Sequence, residues 1–399
     1  MNATTKFEKI AIPAPLGAGS LADCLAFVPD PRLDRTRKHA LRDILFTAVC
    51  ALLCGYHSYY DMEDFCREFL PWLRLRVPLA GGAPSHDTFR RVLGLVDPRH
   101  VLRAFRLWAG AAGAEAGQIV LDGKALRRAK NAGGAIPYIV NAWAVRSRLM
   151  LGGEQVLDKE NEISAIPRVL EWLNPEGALV SIDAIGCQTR IAALIRAKGG
   201  DYLLALKDNH PAVRAEMETF LSDALANGES HVDTFDTVEK GHGRLERRVC
   251  HVSSHLDWFA DRKKWSGLAC VAMVESRRTI PGRESTVERR LYLCSRPLSA
   301  RKALEAVRAH WGIESTHWVL DIAFDEDASR ARTGHAPENL AHLRRMAYDA
   351  LRFERDSSPE PGDAPSLRYK ALQRRAARDG AFRNRLLDNF LAATLLPSA

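Results

Sequence analysis

Residues 118–130 read QIVLDGKALRRAK, an apolar run that stops at Asp122 and gives way to glycine and cations. A short apolar run bounded by turn signals predicts a buried β-strand. The same grammar recurs in ALVSIDA (178–184), where Asp183 closes the run ahead of the small residues Ala184 to Gly186. Carboxylates that end neighbouring strands stand at the rim of a sheet, where α/β folds bind ligands. Either aspartate alone serves equally well as a cap for the turn behind it. Side by side, the two predict a shared hard cation, because magnesium prefers oxygen donors and keeps several waters.

YIVNAWAVR (138–146) and RLMLGGEQVL (148–157) read as two strands joined by a short turn. Gln188 to Lys198 is helical, and GGDYLLALKDNH (199–210) supplies a further strand with a loop after it. Three strands, helix, strand, helix, strand, helix is the order of an RNase H-like α/β core: three antiparallel strands, then parallel ones. From about 220 to 298 the chain turns β-rich and polar, with strand-like runs in DTFDTVEKGHGRLERRVCHV (233–252), GLACVAMVESRR (267–278) and ERRLYLCSR (288–296). This predicts an insertion before the last core helix. That helix starts behind Pro297 with Ser299 as cap and runs through ARKALEAVRAHWGIESTHWVL (300–320). It carries Glu314 among Trp311, Ile313 and Leu320, and a carboxylate near an interior is costly unless paired or metal-bound. Asp321 lies seven residues on and shares roughly the same helix face, which makes it the substitute for Glu314. Asp325, Glu326 and Asp327 read as a solvated acidic turn.

The flanks are helical. Residues 1–20, with Pro13, Pro15, Gly17 and Gly19, predict a flexible arm. Residues 21–112 form a helical N-terminal domain, with Leu41, Ile44, Leu45, Ala48, Val49 and Leu52 at helical spacing. In PSHDTFRRVL (84–93), Ser85 or Asp87 caps a helix whose Arg90 and Arg91 face either a DNA backbone or only solvent. The RNase H-like core with its insertion takes 113–350, and a basic helical tail 351–399. The stretch 367–387 holds Arg368, Lys370, Arg374, Arg375, Arg378, Arg383 and Arg385 against the single acid Asp379. A net charge of +8 suits a nucleic-acid partner without deciding it. The eight cysteines are scattered without a CxxC pair, which argues against a zinc site and for reduced thiols in a cytoplasmic protein, expected at the nucleoid if its partner is DNA. No leader pattern opens the chain, and its longest apolar run, Leu45 to Tyr56, falls short of the ~20 residues a bilayer requires.

The blocks IVLDGKALRR, NEISAIPRVL, VSIDAIGCQTRIA, GGDYLLALKDNH, EKGHGRLERR, HWGIES and HWVLDIAFDEDASRAR follow one another in this chain. Ahead of them stand FVPDPR, DMEDF and PSHDTFRRVL. In that order, over residues 25 to 350, they resemble the H-repeat-associated insertion-sequence transposases. The resemblance implies an RNase H-like core and a DDE site on Asp122, Asp183 and Glu314 that holds two Mg²⁺ (or Mn²⁺) ions. It also implies double-stranded DNA as partner, both element terminal repeats and target, with a dimer or higher oligomer on the DNA and no membrane. His310 stands where the broader superfamily has an arginine. Lys124 and Arg127, just past Asp122, are expected at phosphates, as are His242 and Arg244 in a glycine-flanked loop. Two other readings fit the same residues: a catalytically inactive DNA-binding remnant, and a nuclease of this fold without strand transfer.

Overall fold

The apolar runs pair into a single sheet in the computed structural model, which describes residues 20–110, 117–130, 133–156, 162–241, 243–282, 284–357 and 365–392. Its strands are β1 (Gln118–Ala125), β2 (Tyr138–Ala144), β3 (Leu149–Val156), β4 (Leu179–Ile182), β5 (Asp201–Leu206), β6 (Val232–Gly241), β7 (Arg244–Ser253), β8 (Cys270–Thr279) and β9 (Thr286–Cys294). The order across the sheet is β3-β2-β1-β4-β5-β9-β8-β7-β6. β1 runs antiparallel to β2 and parallel to β4, and β5 is parallel to β4. That is the RNase H-like core. The β-rich insertion does not stand apart from it: the meander β6 to β9 adds to the core sheet by pairing β9 antiparallel to β5. An edge that would present unpaired backbone groups is thereby covered.

Helices α1 (Leu21–Ala26), α2 (Leu41–Leu53), α3 (Tyr59–Glu68), α4 (Leu70–Leu73), α5 (His86–Leu95) and α6 (Pro98–Gly110) precede the sheet. Within and after it come α7 (Glu162–Trp172), α8 (Thr189–Ala197), α9 (Pro211–Ala226), α10 (Ala300–His310), α11 (Gly312–Phe324), α12 (Ala336–Ser357), α13 (Pro365–Arg378) and α14 (Gly380–Ala392). Strand side chains alternate between faces, and two helical layers divide them. Ile119, Leu121, Val180 and Ile182 pack with Val169 and Leu170 of α7 and Ile191 and Ile195 of α8. On the other face Val120 joins Ile313 and Leu320 of α11, and Leu179 joins Ala303, Leu304 and Val307 of α10. Asp122 and Asp183 share parity with Val120 and Leu179, so they belong to the face that α10 and α11 cover.

Three expectations are revised. First, β1 does not end at Asp122. β2 stays paired as far as Ala125, opposite Tyr138, whereas β4 stops at Ile182 opposite Leu121. Asp122 is therefore the first β1 residue beyond the end of β4, and Gly123 continues the strand instead of turning it. Second, the long helix behind Pro297 is two helices broken at Trp311–Gly312. Third, the basic tail is no separate appendage. Tyr369, Ala376, Phe382 and Leu386 are buried in the same core as α2 and α3. The Gln373 amide donates to Leu52 O at 3.3 Å, and the Arg383 guanidinium stacks 4.3 Å from the Trp72 ring centroid. Lys370, Arg374, Arg375, Arg378 and Arg385 remain on the exposed outer face. The arm at residues 1–19 lies outside the described residues. All eight cysteines are buried, and none is in a disulfide. No described helix is long and apolar enough to cross a membrane.

Candidate active site

Parallel pairing places Leu121 opposite Ile182, so the next residues along, Asp122 and Asp183, come level with each other at the point where β4 ends. Adjacent strands lie about 4.8 Å apart, which sets the two carboxylates side by side. Asp183 does act as a cap: its Oδ1 accepts from Ile185 N at 3.2 Å. The same residue also lines a cavity, so the capping and site readings hold together. The turn behind it is tied down by the loop after β5, where Asn209 Nδ2 donates to Ala184 O at 2.8 Å and His210 Nε2 stands 2.7 Å from Cys187 O. Asn209 and His210 were visible in the sequence only as part of KDNH, with nothing to say that they brace the Asp183 turn.

The third element is anchored to the strands from below. Gln118 Nε2 donates to Ser181 Oγ at 2.9 Å and to Ala306 O at 2.8 Å, and His310 Nδ1 meets the same Ser181 Oγ at 3.0 Å. This knot ties the end of α10 to β1 and β4, and Glu314 follows one turn later on α11. Asp122, Asp183 and Glu314 consequently line one cavity of about 350 Å³ together with His310, Trp311, Arg214, Arg289 and Arg290. Burial, with Arg290 adding to it, pushes the His310 imidazole down to about 4. It is uncharged at neutral pH, a polar wall to the cavity and not a cationic phosphate ligand.

Gly312 sets the height of α11. A methyl group built on it would run into the six-membered ring of Trp143, itself buried in the core. Gly312→Ala, which on an ordinary helix adds about 1 kcal/mol, is here expected to remove about 1–3 kcal/mol through overpacking. Urea unfolding measures it, and a midpoint above that of the parent would contradict the packing argument.

Lys124 lies two residues past Asp122 on the same strand face and is not at the surface. Its Nζ stands 2.5 Å from Asp321, 3.2 Å from Asp327 and 3.6 Å from Glu326, with the side chain 6% exposed. Burial alone would depress this ammonium, but Glu326, Asp321 and Asp327 together hold it above the ordinary lysine range. The expected phosphate contact gives way to an internal role. Asp321, committed to Lys124, is likewise not the stand-in for Glu314. The acidic turn is not solvated throughout: Glu326 is fully buried, 2.8 Å from the equally buried Arg345. Burial would raise its carboxyl, yet Arg345 and Lys124 hold it down at about 2.

The remaining expected contacts spread over the surface. Arg127 is exposed and pairs loosely with Asp327 at 3.3 Å. Arg90 and Arg91 are exposed on α5, whose cap is Ser85, while Asp87 pairs with Arg90. Arg244 sits at the tip of the β6–β7 hairpin beside Glu246, and does not line the cavity. His242 lies outside the described residues.

The donor set suits a hard divalent cation: Asp122, Asp183 and Glu314 are carboxylates, Asp208 and Glu288 add two more to the same wall, and among the described residues no thiol lines it. Among the described residues no three acidic, histidine or cysteine side chains converge into a ready-made metal cluster. The three acids border the cavity instead of closing on one point. An open set of this kind is what Mg²⁺ accepts, since it retains waters and takes substrate phosphate oxygens as ligands.

A family model described as a transposase DDE domain matches residues 117–349, and a model for the segment associated with that domain matches 22–109. The chain is 37% identical over 347 residues to "Putative transposase YncI" of Escherichia coli O157:H7, covering 84% of this chain and 88% of the relative. It is 31% identical over 386 residues to "H repeat-associated putative transposase YhhI" of Escherichia coli K12, covering 94% and 98%. An "Uncharacterized protein in dhlA 3'region" of Xanthobacter autotrophicus is 41% identical over 276 residues, 67% of this chain and 92% of that one.

Proposed function

The chain belongs to the DDE transposase family, and from that premise we propose that it cuts DNA at the ends of an insertion sequence and joins those ends to target DNA. The observation that carries the proposal is the meeting of Asp122, Asp183 and Glu314, from three separate elements, on the wall of one cavity. Those three residues would hold two Mg²⁺ or Mn²⁺ ions. Such a pair activates an attacking oxygen and stabilises the leaving oxygen of a phosphodiester.

The protein's own side chains do the rest. Asp122 and Asp183 are held level by the strand register, and Glu314 by the Gln118–Ser181–His310 knot. Arg289, Arg290 and Arg214 on the same cavity wall offer cations for the scissile strand's phosphates, which position DNA without reading its sequence. Arg214 and Arg289 are engaged at present with Asp208 and Glu275. Exposed pairs of this kind are worth about 0–1 kcal/mol, so exchange for a phosphate costs little. Arg90, Arg91 and Arg127 extend the basic surface. Bringing two element ends together calls for at least two copies, so the acting species is a dimer or higher oligomer on DNA.

Incubating the purified chain with duplex bearing an element end, a target plasmid and Mg²⁺ or Mn²⁺ tests the reading. Joined products are expected. Nicks without joining would make it a nuclease, and binding without nicks would make it an inactive remnant.

DNA binding also weakens with salt, because each neutralised phosphate releases counterions and contributes about −0.9 to the slope of log affinity against log salt. The double variant Arg90→Ala with Arg91→Ala is expected to flatten that slope by about one to two. An unchanged slope would leave these two arginines as solvated charges only.

A further inference from the structure

Asp122 has a fixed surrounding. Its cross-strand partner on β2 is Asn141, which is fully buried. Arg345 of α12, also fully buried, donates from Nε to Asn141 Oδ1 at 2.7 Å. A guanidinium has only donors, so the Asn141 oxygen must face Arg345 and its NH₂ must face away. That NH₂ donates to Ile139 O at 3.2 Å and points at His317 Nε2 at 3.0 Å. His317 Nε2 then has to be the acceptor, and the ring proton has to sit on Nδ1. Nδ1 is the atom turned to Asp122, 3.5 Å from Oδ2. The separation is long for a hydrogen bond, as catalytic contacts often are before substrate tightens them.

From this chain of donors we propose that His317 is a positioning residue for Asp122: Arg345 fixes Asn141, Asn141 fixes the His317 tautomer, and the Nδ1–H of His317 orients the Asp122 carboxylate toward the cavity. His317 sits on α11 three residues past Glu314, so one helix both carries the third acid and aims the first. The far end of the chain is firm, since Arg345 also holds Glu326. Groups that orient metal ligands in this way typically change metal affinity or activity by about 10–100-fold when removed. The inference rests on the reading of Asp122 as a metal ligand.

Two measurements on the full-length chain test it. The first is ¹⁵N NMR of histidine-labelled protein, which reads the tautomer directly in the unaltered molecule. The expected result is a protonated Nδ1 and an unprotonated Nε2 at His317, and a proton on Nε2 overturns the proposal. The second is Mn²⁺ affinity, from the free-ion EPR signal, for His317→Leu, His317→Asn and Asp122→Asn, with urea midpoints measured alongside. An asparagine amide nitrogen can stand where Nδ1 stands; leucine offers no donor. His317→Leu is expected to weaken Mn²⁺ binding by about 10–100-fold, and His317→Asn to recover most of it. Equal Mn²⁺ binding by His317→Leu and the parent, with Asp122→Asn impaired, overturns the positioning role and leaves the metal reading standing. Normal binding by Asp122→Asn overturns both.

Discussion

Asp183→Asn is expected to lower strand cleavage by about a thousandfold while DNA affinity stays within about threefold of the parent. A bound cation contributes several kcal/mol of transition-state stabilisation, and about 4 kcal/mol corresponds to three powers of ten in rate. An amide oxygen is a far poorer ligand for a hard cation than a carboxylate. The substitution is clean because asparagine caps a helical turn about as well as aspartate. The bond from Ile185 N to the residue-183 side chain therefore survives, along with the turn braced by Asn209. Asp122→Asn is expected to match it in cleavage. Gel-shift titration and a nicking assay on one substrate measure both halves, and near-normal cleavage by either variant would remove that residue from the site.

Glu326→Ala carries the largest expected effect on stability, a loss of about 3–5 kcal/mol, the usual consequence of breaking a buried ion pair from one side. Arg345 would keep its charge in a position that is 0% exposed, and Lys124 would lose one of three carboxylates. Because Glu326 is held at about 2, against 4.5 ordinarily, the folded state gives up its proton more readily than the unfolded one. The stability it contributes is complete above about pH 4.5 and is lost as pH falls toward 2. The gap between parent and variant in urea midpoint should thus be wide at pH 7 and narrow through that window. An equal midpoint at pH 7 would show that the Glu326–Arg345 pair does not support the fold.

Much of the architecture was legible because strand-forming runs and their order survive in the sequence as apolar segments. QIVL and ALVSI announced β1 and β4, and the aspartates behind them follow from the parallel register that makes Leu121 level with Ile182. What was not legible depends on partners distant in sequence. Gly123 reads as a turn, and only the continued pairing of β2 shows that β1 runs on to Ala125. The acidic run DED (325–327) reads as a solvated turn. Nothing local reveals that Arg345 and Lys124 enclose Glu326 from α12 and β1. The basic residues of 367–387 suggest a DNA-binding tail, while Tyr369, Phe382 and Leu386, spaced among them, are what dock α13 and α14 into the core. Lys124 follows the same logic: a cation two residues past a strand-rim aspartate suggests a phosphate contact, whereas Asp321, Glu326 and Asp327 surround it from elements distant in sequence. Arg289 and Arg290 read in the sequence only as residues of a strand, and the pairing of β9 with β5 is what brings them to the cavity.

Anomalous diffraction from crystals of the full chain grown with Mn²⁺ and element-end DNA would locate the metal ions relative to Asp122, Asp183 and Glu314. Manganese peaks are expected on the carboxylates of Asp122 and Asp183, with the Glu314 carboxylate completing the site. Peaks on Asp321 or Asp327 instead, or no peak at the end of β4 beside Asp122 and Asp183, would contradict that assignment.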